Sequence, residues 1–120
     1  MQPHQHIILE IARERERQMA VEGWTREHDD THSRGEMAAA AASYAINHHA
    51  HLLPEFANPN HINACEGPTL HTTMVHANAV WPWSNKWWKP KNSRRDLIRA
   101  AALLVAELER LDRAQRTEAA

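Results

Sequence analysis

Apolar residues recur at alternating spacings of four and three residues near the C-terminal end of the chain. An α-helix places residues with this spacing on one face. The stripe comprises Leu97, Ala101, Leu104, Leu108 and Leu111, and Ile98, Ala102 and Val105 widen it. Ser93 precedes it as a predicted N-cap, with Asp96 three residues later. We therefore predict a helix over residues 94–113 that packs in the core or against a copy of itself, and a frayed tail over 114–120.

Two further helices are predicted in the first half of the chain. Pro3 suits a first helical turn, and apolar residues up to Val21 predict a helix over about residues 4–22 that stops before Gly23. The face marked by Ile8, Ile11, Ala12 and Met19 also contains Arg15 and Glu22, so two charges are expected to point inward. The Ser33-x-x-Glu36 spacing of a capping box predicts a second helix over 34–50. Its expected inner stripe is Met37, Ala40, Ala41, Tyr44 and His48.

The segments between these helices lack a sustained period. Residues 23–33 are predicted to form a loop or a short helical turn, residues 51–80 an irregular insertion rich in His, Pro and Asn, and residues 81–92 a Trp- and Lys-rich loop. A chain of 120 residues is the usual size of one domain. The predicted fold is mainly α, a small helical bundle of about three main helices within a single domain, 1–120.

Composition excludes several classes of protein. The formal net charge of −1 argues against general nucleic-acid binding, which needs a surplus of basic residues. No apolar run approaches the roughly 20 residues that cross a bilayer, and the N-terminus does not resemble a secretory signal, so we expect no membrane partner and a cytoplasmic location. Cys65 is the only cysteine and cannot form an intramolecular disulfide, and no pattern around it indicates a nucleophile.

Oxygen and nitrogen donors are concentrated after the first predicted helix. Glu22, His28, Asp29, Asp30 and His32 are of the types that bind Mg²⁺, Mn²⁺ or Zn²⁺, although their spacing matches no established ligand motif. His28, Asp29, Asp30 and His32 are the candidate metal ligands. Glu22, His28, Asp29 and Asp30 are the candidate catalytic residues of a metal-dependent hydrolase. Loop-forming carboxylates with a capping role are the alternative interpretation.

Tryptophan and lysine alternate between Trp81 and Lys91. Indole rings stack on planar heteroaromatic rings, and ammonium groups bind phosphates, so this loop suits a nucleotide. Packing of Trp81 and Trp83 into the core is at least as good an explanation for those two residues. Arg94 and Arg95 add positive charge at a helix start, where backbone N–H groups favour an anion. The predicted ligand-binding residues are Arg15, Trp24, His28, Trp83, Trp87, Trp88, Lys89, Arg94 and Arg95.

A third group, His48-His49-x-His51, has two interpretations. Three neighbouring imidazoles can bind a metal ion, but histidine is also favourable at a helix C-terminus, where a cation interacts well with the helix dipole. We favour the second interpretation.

Several short motifs, taken in order, resemble an uncharacterised family of small phage and prophage proteins. They are Glu22-Gly23-Trp24-Thr25, Glu27-His28-Asp29-Asp30, Gly35-Glu36-Met37-Ala38, Trp81-Pro82-Trp83, Trp87-Trp88-Lys89-Pro90, Arg95-Asp96-Leu97-Ile98-Arg99-Ala100 and Ala106-Glu107-Leu108-Glu109-Arg110-Leu111. The similarity covers both ends of the chain and skips residues 47–79, a segment that is shorter in similar proteins. The resemblance implies an accessory phage protein acting in the cytoplasm of an infected bacterium, and it implies no catalytic residues.

These observations lead to three functional hypotheses. The first is a homo-oligomeric phage protein that binds a nucleotide-like or other phosphorylated small molecule and sequesters a host immune signal. The second is a metal-dependent phosphohydrolase or nucleotide pyrophosphohydrolase. The third is a module that binds a host protein through its aromatic surface. We also predict that the Glu22–His32 and Trp81–Arg95 segments meet in space beside the charged face of the first helix.

Overall fold

The computed structural model describes residues 1–51 and 80–119, whose regular elements are all helical. The main helices are α1 (Pro3–Ala20), α3 (Glu36–His51) and α4 (Ser93–Ala119); a short helix α2 (Arg26–Asp29) and a 3-10 turn (Asn85–Trp87) lie between them. The mainly α prediction is thus confirmed. The predicted insertion falls almost wholly outside the described residues, together with Cys65. Among the helices described, none combines the length and apolar character that crossing a bilayer requires.

Helix α4 is the central element, because it packs along α3 and also contacts α1 and α2. The core lies mainly between α3, α4 and the Trp-rich loop. It comprises Met37, Ala40, Ala41, Tyr44, Trp81, Trp88, Ala100, Leu103 and Ala106. The small alanines let the two helices approach closely, and the indole rings fill the space beside them. The predicted inner stripe of α3 is confirmed for its first four residues, while His48 is half-buried.

The apolar stripe of α4 does not face this core. Leu97, Leu104, Leu108 and Leu111 are exposed, whereas the adjacent positions Ile98, Ala102, Leu103 and Ala106 are buried. Helix α4 does pack in the core, which is one of the two predicted alternatives, but it does so through these neighbouring positions and not through the stripe. A helix with apolar residues on more than half its circumference can bury either side, and the small residues of α3 and the Trp cluster favour the side that carries Leu103.

Helix α1 turns a polar face inward. Its buried residues are Glu14, Arg15 and Gln18, while Ile7, Ile8 and Val21 are exposed. The expectation that Arg15 points inward is confirmed, whereas Glu22 is only half-buried. The expected burial is wrong for Ile8, which is exposed like Ile7, and Ile11 is half-buried. Charged groups of α1 pair with charged groups of α4, which compensates for their loss of contact with water.

Helix ends also differ from the predicted ones. Helix α3 begins at Glu36, whose carboxylate accepts the backbone N–H of Arg34, so the capping box expected from Ser33 does not set its start. Asn92, not Ser93, caps α4 by accepting the N–H of Arg95 at 2.9 Å. Helix α4 continues to Ala119, so the frayed tail is wrong for residues 114–119; Thr117 donates to the carbonyl of Arg113 within this last part.

Asp96 is fully buried next to this N-terminus. Its carboxylate accepts the backbone N–H of Lys91 at 2.8 Å and the side-chain amide of Asn47 at 3.2 Å. It therefore ties the end of the Trp-rich loop to both α3 and α4. The sequence pattern predicted only a helix-capping role for Asp96 and did not indicate this tertiary one.

Candidate functional site

The Trp-rich loop is anchored by two of its tryptophans. Trp88 stacks on Tyr44 with ring centroids 4.8 Å apart, and Trp81 meets both rings edge-on at 5.0 and 5.5 Å. Both indoles are more than 90% buried, and Trp81 donates its Nε1–H to the carbonyl of Ser84. The core interpretation is confirmed for Trp81. Trp88 is also a core residue and does not line the cavity described below.

The loop that follows α1 meets the Trp-rich loop, as predicted. Trp24 and Trp83 lie with ring centroids 5.9 Å apart, and His32 lies 5.1 Å from Trp83. Thr25 caps the short helix α2 by accepting the N–H of His28, so that His28 and His32 follow on the same side. Four aromatic side chains from two distant parts of the chain are thereby brought together.

These rings enclose a cavity of about 350 Å³. Pockets that hold small molecules in proteins have volumes of about 300–1,000 Å³. The cavity is lined by Arg15, Glu22, Gly23, Trp24, His28, Asp29, His32, Met37, Trp83, Ser84, Trp87, Leu103 and Ala106. Its aromatic and aliphatic wall carries a few polar groups, which is the usual make-up of a small-molecule site.

Arg15 forms part of the cavity lining and is held from three directions. Its guanidinium donates to Asp29 at 2.7 Å, to Glu109 at 2.8 Å and to the carbonyl of Trp24 at 3.2 Å. Its side chain is 5% exposed and that of Asp29 is 3% exposed. Because two carboxylates already balance its charge, Arg15 attracts an anionic ligand only weakly. Its role is to hold the residues that form the cavity wall in position.

The two carboxylates respond differently to this arrangement. Burial raises the pKa of Asp29, against the opposing effect of the Arg15 charge and hydrogen bond. Burial also acts to raise the pKa of Glu109, but hydrogen bonds and charges from Arg15 and Arg26 outweigh it and lower that pKa. The Asp29 carboxylate is therefore the group that depends most on Arg15 to remain ionised inside the protein.

Two histidines line the cavity side by side. The Nε2 atoms of His28 and His32 are 3.4 Å apart, and Nδ1 of His32 lies 3.5 Å from a carboxylate oxygen of Glu36. A hydrogen bond between two imidazoles uses one proton, with one ring as donor and the other as acceptor. Both rings also offer planar faces, so this pair combines aromatic and hydrogen-bonding character.

Lysines surround the exposed tryptophan at the edge of the cavity. The ammonium groups of Lys86 and Lys89 lie 5.2 and 5.6 Å from the ring centroid of Trp87, which is 45% exposed. Within residues 1–51 and 80–119, neither lysine forms an ion pair with a carboxylate. Among the described residues, no carboxylate therefore competes with a ligand for their charges. Lys86 is absent from the residues predicted from sequence, although its position next to Trp87 is the signal that identifies it.

The predicted arginine pair at the start of α4 does not join the cavity. Arg94 donates to both carboxylate oxygens of Glu10, at 2.7 and 2.8 Å, and Arg95 pairs with Glu14. These contacts join α4 to α1. The sequence pattern showed the two cations but not the acids that come from 84 and 81 residues away.

The candidate metal ligands are separated by their partners. Asp29 binds Arg15, and Asp30 binds Arg113 at 2.8 Å on the surface. Glu22 accepts from Arg17 at 2.9 Å. In the part of the chain that the structure describes, no three His, Cys, Asp or Glu residues are grouped so as to hold a metal ion.

Two more side chains of the wall were not predicted as site residues. Met37 and Leu103 are almost completely buried and close the inner side of the cavity.

The indole N–H of Trp83 is buried and, among the described residues, has no hydrogen-bond acceptor. A buried donor without an acceptor is unfavourable, and a ligand acceptor or a water molecule would satisfy it.

Comparison with known proteins gives no relative for this chain: no family description, no curated protein and no solved structure matches it.

Proposed function

We propose that this protein binds a nucleotide-like small molecule, with a planar ring inside the cavity and a phosphate at its edge. The observation that carries the proposal is the combination of an aromatic cavity of about 350 Å³ with two lysines beside its exposed tryptophan that pair with no carboxylate among the described residues. Aromatic walls favour a flat heterocycle, and the lysines favour an anionic group attached to it.

The ring of the ligand is placed among Trp24, Trp83 and Trp87. Stacking of a base on an aromatic side chain contributes about 1–3 kcal/mol. Trp83 Nε1 supplies a donor, Glu22 supplies an acceptor, and a ring nitrogen of His28 supplies one or the other, for the polar edge of such a ring. A few convergent polar groups in an apolar cavity give orientation and specificity.

The phosphate is placed near Lys86 and Lys89. This assignment replaces Arg94 and Arg95, whose charges are already paired with Glu10 and Glu14. Each ammonium group lies over the Trp87 ring, 5.2 and 5.6 Å from its centroid, so an anion bound to them would lie beside this ring at the edge of the cavity. The ligand would thus enter ring first.

The resemblance to phage proteins supports a biological setting for this binding. We propose that the chain acts in the cytoplasm of an infected bacterium, as a homo-oligomer, and sequesters a host immune signal such as a cyclic oligonucleotide or an ADP-ribose derivative. Sequestration needs tight binding without turnover. The separation of Asp29 and Asp30 by their arginine partners is consistent with a binder, because paired carboxylates that converge on one point are what hold a catalytic divalent ion.

A ligand panel tests this function. Adenosine monophosphate, a cyclic dinucleotide and ADP-ribose are each added to the protein, with and without Mg²⁺, Mn²⁺ or Zn²⁺, while the melting temperature is measured and the products are analysed. We expect stabilisation by at least one of them without chemical change. Metal-dependent turnover that Asp29→Ala abolishes would instead assign a phosphohydrolase. Absence of any shift would contradict ligand binding and favour a protein partner.

Variants locate the site. Trp87→Ala and the double change Lys86→Gln with Lys89→Gln are expected to weaken binding at least about tenfold, which corresponds to a loss of about 1.4 kcal/mol. Lys91→Gln is the matched control, because Lys91 is exposed and, unlike Lys86 and Lys89, is not among the described residues whose charge lies over the Trp87 ring. Binding by Trp87→Ala and by the double variant that equals binding by the control would contradict the proposed site.

A further inference from the structure

The outer face of α4 exposes large apolar side chains in one continuous line. Leu97, Leu104, Leu108 and Leu111 are 39, 47, 61 and 47% exposed, and Ala101 completes the spacing between the first two. We call these five residues the leucine stripe. Val105, 36% exposed, lies next to its middle. Scattered exposed leucines are ordinary on protein surfaces, but a straight line of four on one helix is a surface suited to packing.

The spacing of the leucine stripe is that of two helices packed along their length. Alternate steps of four and three residues keep the side chains on a seam that follows a partner helix crossing at a small angle. Helix α4 has 27 residues and is therefore about 40 Å long. The stripe occupies its middle, so a partner helix of similar length would cover it completely.

The two ends of the stripe carry opposite charges. Continuing the same spacing, Arg94 lies one step before Leu97, and Glu118 lies two steps after Leu111. Both are exposed, and the Arg94 side chain remains 65% exposed in its contact with Glu10. Because Glu10 shares the charge of Arg94, the repulsion in a parallel pair of α4 helices would come chiefly from the two Glu118 side chains. An antiparallel pair brings Arg94 of one chain to Glu118 of the other.

We propose that this face binds a second copy of the chain, with the two α4 helices antiparallel about a two-fold axis between Leu104 and Leu108. The stripe is self-complementary in this arrangement, as a two-fold interface requires. Leu104, Val105 and Leu108 of both chains meet at its centre. Leu103 and Ala106, which line the cavity, lie on the buried side of α4, so both cavities of the dimer remain open.

The mass of the protein in solution tests the interface. Light scattering after gel filtration is expected to give twice the mass of one chain. The double change Leu104→Glu with Leu108→Glu should give one chain mass and raise the dissociation constant at least about 100-fold, because four leucines per dimer lose their contacts. Val21→Glu is the control, since Val21 is 72% exposed and lies just after α1, away from the leucine stripe in sequence.

The control should remain a dimer, and circular dichroism should show the same helix content in all three proteins, because every changed residue is exposed. A monomeric wild-type protein would overturn the proposal. A double variant that stays dimeric while retaining its helix content would overturn it as well.

A distance measurement tests the orientation. A spin label is attached at Arg116→Cys in a Cys65→Ser background, at an exposed position off the stripe. Position 116 lies ten residues from the proposed axis, so antiparallel helices place the two labels about 30 Å apart along the helix direction. Parallel helices would place them about 10 Å apart. The longer distance supports the proposal, and the shorter one overturns it.

Discussion

Arg15 is the buried cation on which the cavity is built, so its replacement gives the sharpest test of the structural argument. Arg15→Met keeps a long apolar side chain but removes the hydrogen bonds to Asp29, Glu109 and the carbonyl of Trp24. Glu109 is 28% exposed and keeps Arg26 as a partner, so it can turn towards water. Asp29 has no such exposure.

The expected loss follows from this difference. Removing one partner of a buried ion pair costs about 3–5 kcal/mol, because the other charge stays buried without compensation. We expect a loss of about 3 kcal/mol in the free energy of unfolding, since only one of the two carboxylates is stranded. Small domains have free energies of unfolding of about 5–15 kcal/mol, so the variant should still fold.

Urea unfolding followed by circular dichroism measures this loss. Without Arg15, burial would raise the pKa of Asp29 further above its ordinary value. The folded state would then keep a proton that the unfolded state releases, so the variant loses stability as pH rises. The difference from wild type should accordingly be larger at pH 8 than at pH 5, and adding Asp29→Asn should recover part of it. A loss below about 1 kcal/mol, or an equal loss at both pH values, would refute this reasoning.

Three further predictions concern the core, the cavity wall and acid stability. Trp88→Ala should destabilise the protein by about 3–5 kcal/mol in urea unfolding, whereas Trp87→Ala should change stability by less than about 1 kcal/mol; equal losses would contradict their assigned positions. Met37→Ala should cost about 2–5 kcal/mol in the same assay, and a loss near zero would show that this wall is not packed. Burial acts to raise the pKa of Glu14, but hydrogen bonds and charges from Arg17 and Arg95 outweigh it and lower that pKa, so the stability that Glu14 contributes is present above about pH 4.3 and is lost as pH falls further. In unfolding measured from pH 3 to 7, Glu14→Gln should therefore lose most stability relative to wild type at neutral pH. A difference that is the same at every pH would contradict this.

The helices could be predicted well from local pattern, and their orientation could not. The stripe beginning at Leu97 identified α4, but Ile98 and Leu103 occupy neighbouring positions on the same helix and are the ones that are buried. Which side is buried depends on the shape of α3 and of the Trp cluster, information that spacing along one helix does not contain. The same limit applies to α1, where Ile7 and Ile8 are exposed and Arg15 is buried.

The candidate site was predicted in part. Trp24, His28, Trp83, Trp87 and Arg15 lie together at the cavity, because the meeting of the two loops follows from their positions at neighbouring helix ends. Arg94, Arg95 and Trp88 lie elsewhere. Their residue types suit ligand binding, but Arg94 pairs with Glu10, Arg95 pairs with Glu14 and Trp88 stacks on Tyr44. No sequence pattern indicated those pairings.

Local sequence thus determined the mainly helical class, the approximate extent of each helix and the two aromatic segments that carry the candidate site. Periodicity and capping act over a few residues, so they can be seen without the fold. Tertiary structure decided which charges are neutralised, which indoles are buried and that the leucine stripe faces outward. Those outcomes depend on contacts between residues up to 94 positions apart, such as Arg15 with Glu109. Such contacts form only when the helices pack, so local sequence patterns do not contain them.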